Sequence, residues 1–335
     1  MNKEPFISII IPVRNGERLL GNCLESIKKQ TYPADQYEVI ISDGMSTDST
    51  VKIAKDFGAK VVTNAKFTVG PGRNEGFNIA KGELIAFSDD DCLMDRDWLS
   101  NSVKYFNDLR VGGLSGPTIT QDDGGPLSKA IGLVFELTAG TGVSAHRSDT
   151  TQVEEVEDIP GCNAIYRKET LAKIFPIDEE LITAEDVEMN RLIRQTGYKL
   201  LYVPDVKLWH CRRQNIIGIF KQMYRFAIGR LQVGKKNLKM LKFPHIIVGL
   251  TLPCLILSFL VFYLIHIDSF YLYSGVTCLF IVVGSIFGLF KTGSIRAGLL
   301  FPLVVITVMI AWSLGFTREL LFPKEIMHRK NNVST

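Results

Sequence analysis

The chain has 335 residues, of which 46% are hydrophobic and 22% charged, with a mean hydropathy of +0.15 and a formal net charge of +3. This composition excludes intrinsic disorder, a collagen-like repeat and a small disulfide scaffold. The charge is sharply partitioned: residues 1–210 carry a net −9, residues 211–242 hold nine Lys and Arg and no acid, and residues 243–335 carry +3.

An acidic globule is a poor nucleic-acid binder, so no nucleic-acid partner is expected. Met1–Pro5 leads straight into a strand-like run, without the charged leader and apolar core of a cleavable signal peptide. Phe6–Val13 is continuous, apolar and β-branched, as in a buried parallel strand, and ends in the turn Arg14-Asn15-Gly16. A helical pattern over Glu17–Gln30 puts Leu19, Leu20, Cys23, Leu24 and Ile27 on one face. Tyr37–Asp43 reads as a second strand, followed by a short helix that Asp48 caps and Gly58 ends. Ala59–Thr63 is a third strand, Arg73–Lys81 a helix closed by Gly82, and Glu83–Ser88 a fourth strand. Alternation of this kind makes a parallel α/β sheet, whose ligands bind beyond the carboxyl ends of its strands. The turns after Val13, Ile41 and Phe87 are therefore the places to search.

Beyond residue 110 a Gly- and Pro-rich passage weakens the alternation. A helix is expected at Glu185–Gln195 with Gly197 as its stop, then a strand at Tyr198–Val203. Asn215–Lys242 alternates Ile, Phe and Leu with Lys and Arg, which suits a basic amphipathic helix on a membrane. From Phe243 to Phe316 only Asp268, Lys291 and Arg296 are charged, and the runs 246–265, 270–290 and 297–316 each reach the roughly 20 residues that cross a bilayer. The expected organisation is a catalytic domain at 1–210, an interfacial segment at 211–242, about three transmembrane helices within 243–317, and a tail at 318–335. The basic block before the first run suits anionic lipid headgroups and marks the cytoplasmic side, so the protein is expected in the cell membrane, multi-pass, with its catalytic domain in the cytoplasm. His266–Ser269, free of Lys and Arg, should face outward and Lys291–Arg296 inward. Three crossings would put the tail outside despite Arg318, Lys324, Arg329 and Lys330; a re-entrant run would return it. The six cysteines show no CxxC and no metal-like spacing, and read as free thiols in a reducing compartment.

Phe87-Ser88-Asp89-Asp90-Asp91 sets three carboxylates at the end of a buried strand. Adjacent carboxylates repel unless water solvates them or a cation neutralises them, and a hard divalent metal held by one or two of them is one arrangement that does so. The plainer reading is a solvated acidic turn, which does not account for the position. Asp43, also at a strand end, is placed to accept hydrogen bonds from a base or a ribose, and Gly44 lets the chain turn. Gly70-Pro71-Gly72-Arg73-Asn74-Glu75-Gly76 superficially matches a dinucleotide loop but lies at the third crossover; Arg73 is better placed as a cation for a pyrophosphate. Glu185-Asp186 opens a helix, as a general base or as an ordinary acidic first turn. His210 beside Trp209 is a metal or phosphate contact, or simply structural.

In order, IPVRNGE, SDGMSTDST, GPGRNEGFNIAKGE, FSDDD and AEDVEMNRLIRQTG resemble the family 2 glycosyltransferases of the GT-A fold, over about residues 6–230. The likeness is greatest to membrane-anchored bacterial and archaeal members that build exopolysaccharides or lipid-linked glycans. It implies a Rossmann-like GT-A domain followed by a transmembrane helical region. It also implies a nucleotide-sugar donor, Mg2+ or Mn2+, inverting transfer, and a lipid-linked or polymeric glycan acceptor among membrane lipids. By position it assigns Pro12, Arg14, Asn15 and Glu17 to the first nucleotide loop, Asp43 to the base and Arg73 to the diphosphate. Asp89-x-Asp91 matches the DxD motif, with Asp90 inside it, Asp91 as metal ligand and Asp89 nearer the ribose. Glu185-Asp186 matches the acceptor-side pair, with Asp186 as base, and Ile159–Asn163 the glycine loop under the donor sugar. Ala184 stands where Thr or Gly is common, and Gln222-Met-Tyr-Arg225-Phe226 only approximates the QxxRW of processive synthases. The alternatives are a polyprenyl-phosphate glycosyltransferase and a transporter with a nucleotide-sensing domain; a nicotinamide oxidoreductase is disfavoured because no glycine fingerprint follows the first strand.

Overall fold

The structure, a computed structural model, describes residues 4–121, 125–139, 151–265 and 270–323. Strands β1 (Ile7–Val13), β2 (Tyr37–Asp43), β3 (Lys60–Thr63) and β4 (Leu84–Ser88) alternate with helices α1 (Leu20–Lys28), α2 (Thr50–Asp56) and α3 (Val69–Ile79). All four strands run parallel. Every residue of β1 is buried, and all but Ser8, whose hydroxyl donates to Glu38 Oε1 at 2.7 Å, are apolar, as a strand covered on both faces requires. Ile7, Ile9 and Ile11 pack with Leu20, Cys23, Leu24 and Ile27 of α1, while Ile10 joins Ile85 and Phe87 on the other face. Each such fully buried aliphatic side chain contributes roughly 1.5–3 kcal/mol.

The chain continues through β5 (Cys92–Met94), α4 (Trp98–Val103), β6 (Val111–Ser115), β7 (Thr118–Thr120), α5 (Gly125–Ala139), β8 (Glu154–Val156), β9 (Asn163–Arg167), α6 (Lys168–Ala172), α7 (Glu185–Gln195), β10 (Lys199–Tyr202) and β11 (Leu208–His210). The main sheet has the order β3-β2-β1-β4-β9-β6-β10-β8. It is mixed, not wholly parallel as expected: β9 runs antiparallel to both β4 and β6, and β8 antiparallel to β10. The antiparallel β9 brings the glycine loop 159–162 to the carboxyl end of β4, pairing Asn163 with Ser88. A second sheet, β5-β11-β7, closes over the same end.

Helix α8 (Ile216–Lys236), capped by the Asn215 side chain, leads into three apolar helices, α9 (Phe243–Leu264), α10 (Phe270–Thr292) and α11 (Ile295–Leu321), each long and apolar enough to cross a membrane. Helices α9 and α10 leave most of their surface unburied, whereas α11 is packed along the rest of the protein. Phe301, Val304 and Ala311 of α11 cluster with Ala130 and Ile131 of α5 and Ile219 and Met223 of α8. Further along, a Cβ on Gly315 would stand 2.2 Å from the Tyr224 carbonyl oxygen, and Glu319 pairs with Lys235 at 2.9 Å. Both halves of α11 thus rest on α5 and α8. The start of α9 meets the end of α11, where Trp312 Nε1 donates to the His245 carbonyl oxygen at 3.2 Å, and the end of α10 meets the start of α11 at Gly288 and Phe301. The link His266–Ser269 and the tail cations Lys324, Arg329 and Lys330 lie outside the described residues.

Candidate active site

Asp89, Asp90 and Asp91 follow the last residue of β4 and lead directly into β5. The register of β5 against β11 pairs Cys92 with His210, and the Cys211 N–H donates to the Asp91 carbonyl oxygen at 2.9 Å. This pairing carries His210 from more than a hundred residues away to the acidic turn, where its Nε2 lies 3.5 Å from Asp91 Oδ1. Donor atoms of Asp89, Asp91 and His210 all lie within 4.8 Å of one another. Burial and then Asp91 push the Asp89 carboxyl up, and burial, Asp91 and Asp89 together raise Asp90 to about 7. Burial lowers His210, against the pull of Asp91, and favours the neutral imidazole that ligates metals. Two oxygens and one nitrogen, short of positive charge, fit a hard divalent cation.

Facing this cluster is the acidic start of α7. Ala184, the residue before it, has a left-handed φ of 65°, a conformation that suits Gly better than Ala. The turn separates the two acids. Glu185 accepts from Arg73 Nη1 at 2.9 Å, in a pair exposed by only 3% and 12%. Asp186 instead presents Oδ2 to the Gly161 N–H at 3.0 Å and Oδ1 to the Val187 N–H at 2.8 Å. Burial, reinforced by Asp186 and opposed by Arg73, raises Glu185 to about 7. Arg73 lies beneath the glycine loop with its guanidinium 5.2 Å from the Phe87 ring centroid, and a Cβ on Gly161 would meet its Nη2 at 2.4 Å. It is therefore committed to Glu185 and to the floor of the loop. Asn163 is a hub below it, donating to the carbonyl oxygens of Gly116, Pro117 and Val206 and accepting from Trp98 Nε1.

The residues assigned to the nucleotide gather at the ends of β1 and β2. The Asn15 N–H donates to Ser46 Oγ at 2.8 Å and its Oδ1 accepts from the Thr47 N–H at 2.9 Å. Glu17 Oε2 accepts from the Ser49 N–H at 3.1 Å, and Asp43 accepts from the Ser46 N–H at 3.2 Å. Asn15 and Glu17 thus lace the two loops together. Pro12 is buried against the first turn of α3, near Gly72, and Arg14 is exposed, stacked 4.6 Å from the Phe67 ring centroid.

Residues 8–175, half of the chain, match the family described as Glycosyl transferase family 2. The chain belongs to that family. Glycosyltransferase AglE of Haloferax volcanii is 26% identical over 236 residues, 68% of this chain and 74% of that one. A dolichyl N-acetyl-alpha-D-glucosaminyl phosphate 3-beta-D-2,3-diacetamido-2,3-dideoxy-beta-D-glucuronosyltransferase of Methanococcus voltae is 26% identical over 275 residues, 77% of this chain and 83% of that one. Among solved structures, the mannosyltransferase PcManGT of Pyrobaculum calidifontis, in complex with GDP-Man and Mn2+, matches with a TM-score of 0.66 at 19% identity, over 97% of this chain and 89% of its own. S. aureus TarS 1–349 in complex with UDP-GlcNAc matches with a TM-score of 0.53 at 17% identity, over 94% and 92%. The fold is GT-A, and this member of family 2 is a glycosyltransferase.

Two features of the site escaped the sequence. Arg213 Nη1 lies 3.9 Å from Asp91 Oδ2, although its place in the basic block pointed to lipid. Cys92 and Cys162, with no motif spacing, come within 4.8 Å of His210 at their donor atoms. The six cysteines are free thiols, as expected. Only long-range strand pairing makes these neighbours, and local spacing holds no trace of it.

Proposed function

We propose that the protein transfers a sugar, with inversion, from a nucleotide-sugar donor to a hydroxyl of a glycan carried on a membrane lipid. The observation that carries this reading is the split of the acidic pair. Glu185 is locked on Arg73, whereas Asp186 is held only by backbone N–H groups of the glycine loop and its own helix. A carboxylate so oriented can accept a hydroxyl proton as the oxygen attacks, a role worth about 10²–10⁴-fold. Asp89, Asp91 and His210 would hold Mg2+ or Mn2+, which when bound supplies Lewis-acid neutralisation of the diphosphate leaving group. Asp43 and the loops laced by Asn15 and Glu17 would seat the nucleoside. Arg73 acts here as a positioning residue for Glu185 and the glycine loop. The acceptor class is supported by the Methanococcus relative, which is named for a dolichyl-linked sugar phosphate.

The same reading places the enzyme at the inner face of a cell membrane, crossed by α9 and α10 as a hairpin. Helix α11, resting on α5 and α8 along both halves, would lie at the interface as a third apolar helix that does not cross. The basic segment, Lys291–Arg296 and the tail cations would then share the cytoplasmic side, and the link His266–Ser269 the other, in accord with the positive-inside rule.

The test of the base is Asp186→Asn. Donor and metal affinity should persist while transfer to lipid-linked glycan falls by about two orders of magnitude or more. Equal glycosylation of plain polyprenyl phosphate by wild type and variant would replace the hydroxyl acceptor with the lipid phosphate itself.

A further inference from the structure

A cavity of about 500 Å³ is bordered by Ile182, in the segment that leads into the acidic pair, and is lined by none of Asp89, Asp91 and His210. Its walls come from five parts of the chain: Arg14 after β1, Phe67 and Thr68 just ahead of α3, Ile182 just ahead of α7, Tyr224, Arg225 and Ile228 of α8, and Arg318 of α11. Three arginines line it, Arg14 with its guanidinium stacked on Phe67, and no carboxylate does. Arg318 donates to Glu319 at 3.0 Å, but that fully buried carboxylate is already shared with Lys235. Arg14 and Arg225 form no salt bridge among the described residues, and only the backbone of Arg225 is used, its carbonyl oxygen accepting from Thr183 Oγ1. The cavity therefore presents unspent positive charge where the catalytic domain, the interfacial helix and an apolar helix meet. Leu314 and Leu321, on the same helical face as Arg318, are exposed by 39% and 63% and continue that face with hydrocarbon. Cations flanked by apolar walls match an anionic headgroup with a hydrophobic tail.

We propose that this cavity holds the phosphate or diphosphate of the polyprenyl carrier while the attached glycan reaches Asp186. The inference rests on the lipid-linked acceptor reading and gives Arg225 and Arg318 a role that does not involve the donor. Arg225 and Arg318 would grip the phosphate oxygens, Ile182, Tyr224 and Ile228 would cover the first isoprene units, and Arg14 would stand between this cavity and the nucleotide. The segment joining Ile182 to Glu185 would then couple seating of the carrier to placement of the base, because Thr183 is bonded to Arg225 and packed on Gly229.

Farnesyl diphosphate is the probe, titrated into the full-length protein in detergent, with farnesol and inorganic pyrophosphate as controls. It should bind in EDTA and in the presence of saturating nucleotide with Mn2+, and both controls should bind at least about tenfold more weakly. Arg225→Gln and Arg318→Gln should each weaken the probe about tenfold, as expected for one charge-assisted contact, and leave nucleotide affinity unchanged. Arg225→Lys and Arg318→Lys should recover part of the loss at an unchanged melting temperature. Competition between probe and nucleotide, a requirement for Mn2+, or an equal loss of nucleotide affinity would assign the cavity to the donor diphosphate and overturn the proposal. Unchanged probe affinity in both Gln variants would overturn it as well. If Asp186→Asn refutes the hydroxyl acceptor while probe binding follows the expected pattern, the cavity assignment stands and the function needs revision.

Discussion

Adding Mn2+ to the metal-free protein should stabilise it more at pH 8 than at pH 6. The perturbation acts on Asp90, raised to about 7 by burial and by its two acidic neighbours. A folded-state acid with a raised pKa binds more protons than the unfolded chain between about pH 4 and 7. Stability therefore falls as pH rises through that window, the reverse of the usual salt-bridged carboxylate. Ionising near 7 instead of near 4 corresponds to roughly 4 kcal/mol. Asp90 keeps part of its surface in water, so about 2–4 kcal/mol is the figure to expect after screening. Asp89 is pushed in the same direction. A divalent cation on Asp89, Asp91 and His210 would relieve this repulsion, and its binding would release the proton. Apparent Mn2+ affinity should then tighten by about tenfold per pH unit just below pH 7 and level off above it. Calorimetric titration in buffers of different ionisation enthalpy counts the released protons, and Trp-fluorescence melts follow stability. Asp90→Asn should raise metal-free stability at pH 8 and flatten the pH dependence. A Mn2+-induced stabilisation equal at pH 6 and pH 8, with no proton release, would refute the electrostatic account of the acidic turn.

Breaking the Arg73–Glu185 pair by Glu185→Gln should cost about 3–5 kcal/mol in urea melts, because the buried guanidinium loses its counter-charge. Arg73→Met combined with Glu185→Gln should be less destabilising than the sum of the single variants, since neither charge is then stranded. Ser334→Cys should be labelled by an impermeant maleimide in inside-out vesicles and protected in intact cells; the opposite pattern would make α11 a third crossing.

Where local chemistry decides the structure, the sequence reads through. Strand β2 at Tyr37–Asp43 and helix α7 at Glu185–Gln195 fall where expected, because apolar patterning, an acidic first turn and Gly197 at φ 88° are local signals. Helix α3 begins at Val69, four residues earlier than expected: Gly70-Pro71-Gly72 reads as loop. Pro is tolerated in a first turn, and Gly72 is small because Pro12 packs against it, 2.9 Å from where a Cβ would stand. Strand β6 runs through Gly112 and Gly113 for the same kind of reason, since the side chains of Tyr198 and Tyr166 occupy the space of their Cβ atoms. Of the site, Asp89–Asp91 and Glu185-Asp186 were legible as strand-end and helix-start carboxylates. The commitment of Arg73 to Glu185 was not, because their sequence separation of 112 hides the contact.

The basic segment 211–242 also changes meaning once folded. Its nine cations read as a membrane-facing block, but most turn toward the protein. Arg212 is buried over Phe135 and Arg213 faces Asp91, while Arg230 is buried in the field of Asp158 and Asp186. Lys235 pairs with Glu319, Lys236 with Asp178 and Lys242 with Glu157. Arg225 lines the cavity, which leaves Lys221 and Lys239 as exposed cations without an ion pair among the described residues. At about 1 kcal/mol for each cation near an anionic surface, electrostatic anchoring amounts to roughly 2 kcal/mol, not the 9 that composition suggests. The −9 of the catalytic domain is answered instead by its own C-terminal helices, which ties their position to the acids of the site. On the proposed placement, attachment to the membrane would rest on α9 and α10, and it should survive high-salt washing but not detergent.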